Sequence, residues 1–280
     1  MKGNSGWFLV GAACWFLTLA GCAEDTEVAF SVPPPPTGLR PLPAVITAPP
    51  APPAQVQVQV EAAPPEGTSV QGRPLRCTVH GGGEETVLIL GGIHGNEPAG
   101  VPLCRQLADY LDRHPAVLAD RRVVVAPALN PDGLAANRRT NARGVDLNRN
   151  FETSNRLAIP RHGPRPLSEP EARYIVELIG RYHPARIVTI HQPLACVDWD
   201  GPARDLAEAV SRACGLPMRK LGARPGSLGS YAGVEQRIPI ITLELPAGAG
   251  VLTPSGMWRI YGHSLLVAVQ FPSAFAGGSK

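Results

Sequence analysis

The chain of 280 residues is 44% hydrophobic, enough to bury the core of one large domain or two small ones. Its formal net charge of +3 is too small to indicate a nucleic-acid-binding protein. Lysine occurs only at positions 2, 220 and 280, and no G-x-x-x-x-G-K-[ST] sequence is present. This composition disfavours a lysine Schiff-base enzyme and excludes a P-loop nucleotide hydrolase.

The N-terminus has the pattern of a bacterial export signal. Lys2 gives a positive start, and Trp7–Ala20 is an apolar run shorter than the ~20 residues of a membrane-spanning helix. The tetrad Leu19-Ala20-Gly21-Cys22 resembles a lipobox, at which bacterial lipoproteins are cleaved before the cysteine and lipidated on it. We therefore expect a signal peptide over residues 1–21 and a lipid anchor to the membrane on Cys22. The alternative is an ordinary secretory signal with an incidental cysteine.

A proline-rich tether and a single folded domain are expected after Cys22. Twelve prolines fall between Pro33 and Pro65, and such a stretch favours extended polyproline II over a packed core. Within it, Gln55–Val60 alternates polar and apolar residues, which fits either an edge strand or linker. We assign residues 22–65 to the tether and 66–280 to the folded domain.

Because Ala23 rather than Asp follows Cys22, resemblance to lipoprotein sorting in Gram-negative bacteria favours the outer membrane, facing the periplasm.

Strand and helix patterns alternate through the folded domain. Short apolar runs predict four buried strands, Val87–Leu90, Val123–Ala126, Ile187–Ile190 and Ile240–Leu243. Helical periods between and after them cover Pro98–Leu111, Ala203–Cys214 and Trp258–Val269. A further helix is predicted after Ser168, an N-cap residue that has Glu171 three residues on. The alternation predicts a single α/β domain whose mixed, mostly parallel twisted sheet carries helices on both faces. Ligands of such sheets bind at the carboxyl ends of the strands.

Metal-binding and acid–base side chains follow three of these strands. His94 and Glu97 come directly after the first, His191 ends the third, and Glu244 ends the fourth. Two imidazoles and one carboxylate are a ligand set of catalytic zinc, which keeps one position open for water. The histidines and Glu97 each have an ordinary explanation as a hydrogen-bonded polar group or part of a turn, whereas Glu244 between two leucines is harder to explain structurally. Together they predict one zinc ion held by His94, Glu97 and His191, beside the carboxylate of Glu244.

An arginine-rich stretch predicts an anion site. The turn Asn130–Gly133 leads to Arg138, Arg139 and Arg143, and then to Asn148-Arg149 between two apolar residues. Arginine binds a carboxylate through two parallel hydrogen bonds, whereas a solvated basic loop explains Arg138 and Arg143. The embedded Asn-Arg pair is the part that a solvated loop explains least well.

Five separated motifs resemble, in their order, those of the zinc carboxypeptidases. They are Gly-Ile-His-Gly-Asn-Glu at 92–97, Asn-Pro-Asp-Gly at 130–133, Gly-Val-Asp-Leu-Asn-Arg-Asn-Phe at 144–151, His191 and Glu244. Residues 168–171, 191–196, 225–230 and 242–246 carry a narrower likeness to the murein tripeptide amidase branch. That branch cleaves the γ-D-glutamyl–diaminopimelate bond of peptidoglycan peptides.

The resemblance implies a role for each residue of the metal centre. His94, Glu97 and His191 would hold zinc, and Asp146 would accept a hydrogen bond from the outer ring N–H of His94. Glu244 would be the general base for the attacking water and then the acid for the departing amine.

The resemblance also implies how substrate is held. Asn148 and Arg149 would bind the free carboxylate of the leaving residue, and Arg139 would face the developing oxyanion. The short spacing before Gly144 leaves Arg138 as an alternative to Arg139. Tyr231 is the nearby candidate for the tyrosine that caps substrate in the digestive enzymes, although its spacing to Glu244 matches poorly.

We therefore expect zinc-dependent hydrolysis of a peptide or amide bond beside a free carboxylate in a peptidoglycan peptide. Succinylglutamate desuccinylase and aspartoacylase are an alternative, since they share the Gly-Asn-Glu turn and Asp-Leu-Asn-Arg. Export and the Asn-Pro-Asp-Gly motif favour the peptidase. A catalytically inactive wall-binding lipoprotein is a third hypothesis, against which the complete set of zinc ligands and Glu244 argues.

Four cysteines remain in the expected folded domain, at positions 77, 104, 196 and 214. In an oxidising compartment we expect a Cys196–Cys214 disulfide that ties the loop after the zinc strand to the following helix. The alternative is a pair of buried thiols.

Overall fold

The computed structural model describes residues 64–272. The predicted signal peptide, the lipidation site Cys22, the Gln55–Val60 segment and nearly all of the tether lie outside the described residues. Within residues 64–272, no helix combines the length and the apolar character that crossing a membrane requires.

The described residues are organised around a six-stranded sheet. A small ribbon of β1 (Gly67–Thr68) and β2 (Pro74–Leu75) precedes its strands, which are β3 (Thr78–His80), β4 (Glu85–Gly91), β5 (Arg121–Ala126), β6 (Arg186–His191), β7 (Leu194–Asp200) and β8 (Ile240–Pro246). Their order across the sheet is β3-β5-β4-β6-β8-β7. Neighbours among β5, β4, β6 and β8 are parallel, whereas β3 and β7 pair antiparallel at the two edges. The predicted mixed, mostly parallel sheet is confirmed.

Helices connect most of the strands. Those of α type within residues 64–272 are α1 (Gly100–Arg113), α2 (Pro131–Ala135), α3 (Pro170–Tyr182), α4 (Arg204–Cys214) and α5 (Pro254–Gln270). Short 3-10 turns lie at Pro115–Leu118, Leu147–Arg149, Pro160–His162 and Ala247–Val251, and a π-helix at Gly229–Glu235. The predicted cap of α3 by Ser168 is wrong. Pro170 occupies the first helical position, as proline favours, so Glu169 is the N-cap and the Ser168 hydroxyl donates to its carboxylate at 2.8 Å.

The two faces of the sheet carry separate hydrophobic layers, as predicted. On one face α1, α4 and α5 cover alternate strand residues that include Val188, Val197 and Leu243. On the other face α3 packs with Ile187 and Ile240. Because successive strand residues point to opposite faces, membership of a layer shows which way each strand residue points.

The predicted Cys196–Cys214 disulfide is wrong, since both thiols are free. Cys196 lies opposite Glu244 in the β7–β8 pair, on the α3 face of the sheet. Cys214 ends α4 and packs against the layer on the other face. The sheet therefore separates the two sulfurs, which the order of elements along the chain did not reveal.

Candidate metal centre

Strand ends bring the predicted zinc ligands together at one edge of the sheet. His94 and Glu97 lie in the turn after β4, and His191 is the last residue of β6. β4 and β6 are parallel neighbours, so their carboxyl ends meet at the same edge.

The turn after β4 is held against the turn that opens α2. A Cβ atom at Gly95 would lie 1.9 Å from the backbone carbon of Gly133, so only glycine fits there. The Asn130 side chain joins the two turns, because its amide donates to Ile93 O at 3.2 Å and its oxygen accepts from Gly133 N–H at 2.9 Å. Close packing of these two glycine-containing turns thus positions the segment that carries His94.

Three buried donor groups converge within 4.8 Å of one another: His94, Glu97 and His191. The two oxygens of Glu97 lie 2.8 Å from His94 Nδ1 and 2.8 Å from His191 Nδ1, and the two Nδ1 atoms are 3.1 Å apart. The outer nitrogen of His94, Nε2, donates to Asp146 Oδ1 at 3.1 Å, which leaves the lone pair of Nδ1 directed at the other donors. Donor groups that converge in this way can share a cation, and the donor set fits zinc with one open position.

The surrounding charge favours the anionic forms of the carboxylates. Burial alone would raise the pKa of Glu97, but the close imidazoles of His191 and His94 hold it well below its usual range. The pKa of Asp146 is likewise held low, against the effect of burial, by His94 and by the nearby Arg139 guanidinium. Burial would lower the pKa of His94, yet its bonds to Asp146 and Glu97 raise it. The same negative field would stabilise a metal cation.

Glu244 stands beside this cluster without joining it. The β6–β8 register places Glu244 opposite His191, and its Oε2 accepts from the Leu194 N–H at 3.4 Å. Burial and the negative charge of Glu97 raise the pKa of Glu244, partly opposed by His191 and His94. A raised pKa makes this carboxylate a stronger base, which suits general acid–base chemistry.

Arg139 connects the metal centre to the cavity. Its Nε donates to Asp146 at 2.9 Å and its Nη1 to Glu97 at 3.1 Å. The side chain also lines a cavity of about 310 Å³ together with His94, Glu97, His191 and Glu244. Arg138 is exposed and does not line this cavity, so of the two candidates it is Arg139 that the structure brings to the site.

The predicted anion-binding pair lines the same cavity. Asn148 Oδ1 accepts from the Leu228 N–H at 2.9 Å, which leaves the amide nitrogen of Asn148 as a donor. Arg149 is half-buried and donates from Nη1 to the neighbouring backbone carbonyl of Asn148. No acidic side chain among residues 64–272 forms an ion pair with Arg149. Burial lowers the pKa of Arg149, and the positive neighbours Arg139, Arg224 and Arg161 act in the same direction against Asp146. A guanidinium without an ion-pair partner, among other positive groups, has the chemistry to bind an anion.

Comparison with known proteins identifies the family and the fold. The sequence profile of the zinc carboxypeptidase family matches residues 62–195. Murein peptide amidase A of Escherichia coli K12 is 35% identical over 203 residues, which are 64% of this chain and 79% of that protein. The chain belongs to the zinc carboxypeptidase family. It is therefore a hydrolytic enzyme of a zinc-dependent family.

Solved structures agree with this assignment. The crystal structure of murein-tripeptide amidase from Escherichia coli O157 matches with a TM-score of 0.58 at 30% identity, over 72% of this chain and 89% of that chain. Carboxypeptidase A of Helicoverpa armigera matches with a TM-score of 0.63, over 76% of this chain and 68% of that chain. At 19% identity the second likeness supports the zinc carboxypeptidase fold alone.

Sequence reasoning missed several cavity residues of this zinc carboxypeptidase. Asp198 and Asp200 on β7 and Thr242 on β8 all line the cavity. The signal for the two aspartates was the alternation of apolar and polar residues over Val197–Asp200, which is typical of a strand. Tyr231, the candidate capping residue, is absent from the cavity lining, and its ring instead stacks on Phe151 with centroids 5.6 Å apart.

Proposed function

We propose that this enzyme hydrolyses the amide bond between γ-D-glutamate and diaminopimelate in peptidoglycan peptides. The observation that carries the proposal is one cavity lined at once by the three-donor cluster, by Glu244 and by the unpaired Arg149. A hydrolytic centre beside a carboxylate-binding arginine suits a scissile amide whose leaving residue keeps a free carboxylate. The similarity to murein peptide amidases supports the choice of peptide.

His94, Glu97 and His191 would hold one zinc ion per chain. When bound, zinc supplies Lewis acidity and lowers the pKa of water. Asp146 keeps His94 in the tautomer that presents Nδ1 inward.

The remaining steps belong to side chains of the cavity. Arg149 and Asn148 hold the leaving residue by its carboxylate and so orient the scissile amide. Glu244 removes a proton from the attacking water and returns it to the departing amine nitrogen. The Nη2 group of Arg139, which makes no hydrogen bond to residues 64–272, donates to the oxygen that becomes negative at the tetrahedral stage.

The test is incubation of the purified enzyme with the tripeptide L-alanyl-γ-D-glutamyl-meso-diaminopimelate and mass analysis of the products. We expect free diaminopimelate and the dipeptide L-alanyl-D-glutamate. Removal of metal by a chelator should stop the reaction, and added zinc should restore it. Release of alanine with an intact glutamyl–diaminopimelate bond would reject the proposed substrate bond.

The deacylase alternative makes a different prediction for the same enzyme. Succinylglutamate and acetylaspartate should remain intact under conditions in which the tripeptide is consumed. Rapid hydrolysis of either small acylated amino acid, with no cleavage of the tripeptide, would favour the deacylase hypothesis.

We further propose that the enzyme works in the cell envelope, anchored through lipid on Cys22 to the outer membrane and facing the periplasm. The signal pattern over residues 1–21 and the lipobox-like tetrad support this placement. Metabolic labelling with a fatty acid should mark the wild type and not a Cys22→Ser variant. Labelling of both proteins would show that the lipid, if any, is elsewhere.

A further inference from the structure

A carboxylate without a cationic partner lies in the wall of the active-site cavity. Asp198 on β7 is buried and lines the cavity. Its Oδ1 accepts one hydrogen bond, from the Leu221 N–H at 2.9 Å, and no basic side chain of residues 64–272 forms an ion pair with it. A buried carboxylate is costly unless a partner compensates its charge. Because the cavity is open to ligands, that partner can arrive with the substrate.

The strand register places Asp198 at a defined distance from the reacting centre. Glu244 on β8 lies opposite His191 on one side and Cys196 on the other. Thr242, two residues earlier on the same face, lies opposite Asp198. A step of two residues along a strand is about 7 Å, so Asp198 lies about that far from the row that carries Glu244.

The neighbouring Asp200 provides a contrast within the same cavity. It is also buried and also lines the cavity, but its Oδ1 pairs with Lys220 Nζ at 2.6 Å. Lys220 is the one lysine among residues 64–272. The charge of Asp200 is therefore already compensated by the protein, whereas that of Asp198 is not.

We propose that Asp198 binds an ammonium group on the side chain of the leaving residue and thereby selects substrates that carry one. This inference rests on the proposed function, which holds the leaving residue by its carboxylate at Arg149. In diaminopimelate, four carbon–carbon bonds of about 1.5 Å separate the two α-carbons, an extended reach of about 5 Å. The distal ammonium lies one bond beyond the second α-carbon. Its distance from the first α-carbon therefore matches the distance between the row of residues that carries Glu244 and Asp198.

The experiment compares two tripeptides that differ in the distal ammonium alone. One ends in diaminopimelate, and the other ends in 2-aminopimelate, whose single amine is consumed in the scissile amide. We expect the wild type to prefer the first in kcat/KM by about 10- to 100-fold, the factor of a hydrogen bond between charged groups. Asp198→Asn, which keeps the size of the side chain and removes its charge, should lose most of this preference.

Asp200→Asn is the matched control, since it removes a carboxylate from the same strand and the same cavity. It should retain the preference of the wild type even if its overall rate falls, and thermal melting should show that both variants are folded. A preference that persists in Asp198→Asn, or that is absent from the wild type, would overturn the proposal.

Binding separates this inference from the proposed function. Calorimetry with both peptides in a Glu244→Gln background, with and without Asp198→Asn, measures the preference without turnover. Tighter binding of the diaminopimelate peptide that depends on Asp198, with no cleavage by the wild type, would support the binding site and reject the proposed reaction. Cleavage of both peptides at equal efficiency would support the reaction and reject the role of Asp198.

Discussion

Amidating the free carboxylate beside the scissile bond should slow the wild-type enzyme far more than an Arg149→Ala variant. Arg149 lines the cavity and has no acidic partner among residues 64–272, so the substrate carboxylate would be its counter-ion. A carboxylate and a guanidinium form two parallel charge-assisted hydrogen bonds, which a neutral amide cannot reproduce. The amidated substrate therefore loses the charge pair and leaves the guanidinium uncompensated.

The size of the effect follows from the burial of Arg149. Removing one partner of a buried, hydrogen-bonded charge pair costs about 2–5 kcal/mol. Arg149 is half-buried, which places the loss near the lower limit, at about 2 kcal/mol. At ~1.4 kcal/mol per tenfold change, kcat/KM should fall by about 30-fold. Arg149→Lys should also be impaired, because a compact ammonium lacks the planar fork of arginine.

The assay measures kcat/KM for one peptide with a free or an amidated terminal carboxylate. Wild type, Arg149→Ala and Arg138→Ala are compared, the last as a control because Arg138 is exposed and outside the cavity lining. Amidation should have a large effect on the wild type and the control and little effect on Arg149→Ala. Equal losses in all three proteins would show that Arg149 does not recognise the carboxylate.

Three further outcomes are expected. Glu244→Gln should keep its metal and lose turnover by several orders of magnitude, because Glu244 handles protons and is no part of the donor cluster; near-normal turnover with full metal content would reject the mechanism. Elemental analysis should show loss of metal from each of the variants His94→Ala, Glu97→Ala and His191→Ala. Asp146→Asn should still bind zinc, with an affinity about 10- to 100-fold weaker, because it removes only the hydrogen-bond partner of His94. Peptide mapping without reductant should recover Cys196 and Cys214 as separate free thiols, and a linked peptide would contradict their placement on opposite faces of the sheet.

Much of the fold and of the metal centre was predictable from local patterns. The apolar runs before His94 and before His191 have the length and β-branched content of buried strands, and a polar residue at the end of such a run is conspicuous. Parallel strands bring their carboxyl ends to one edge whatever their order, so the meeting of His94, Glu97 and His191 did not depend on knowing the topology.

The parts that local patterns missed depend on pairing between distant segments. Only Val197–Asp200 of β7 alternates apolar and polar residues, and β7 follows β6 after only two residues, so the local pattern predicts no separate strand there. Without β7, neither the face of Cys196 nor the cavity position of Asp198 was accessible. The disulfide prediction failed for this reason, since closeness along the chain says nothing about which side of a sheet a side chain occupies.

Register connects the chemistry of this enzyme to its proposed specificity. On β6, β8 and β7, the residues His191, Glu244 and Asp198 share one face, while their neighbours on each strand enter the layer formed by α1, α4 and α5. A slip of one residue in any strand would turn its polar set away from the cavity and bury it in that apolar layer. The apolar residues that pin the register therefore also fix the spacing between the acid–base carboxylate and the carboxylate proposed to select the leaving residue. A change of specificity by substitution at Asp198 should then leave the metal centre in place, because the strands that carry the metal ligands are held from the opposite face.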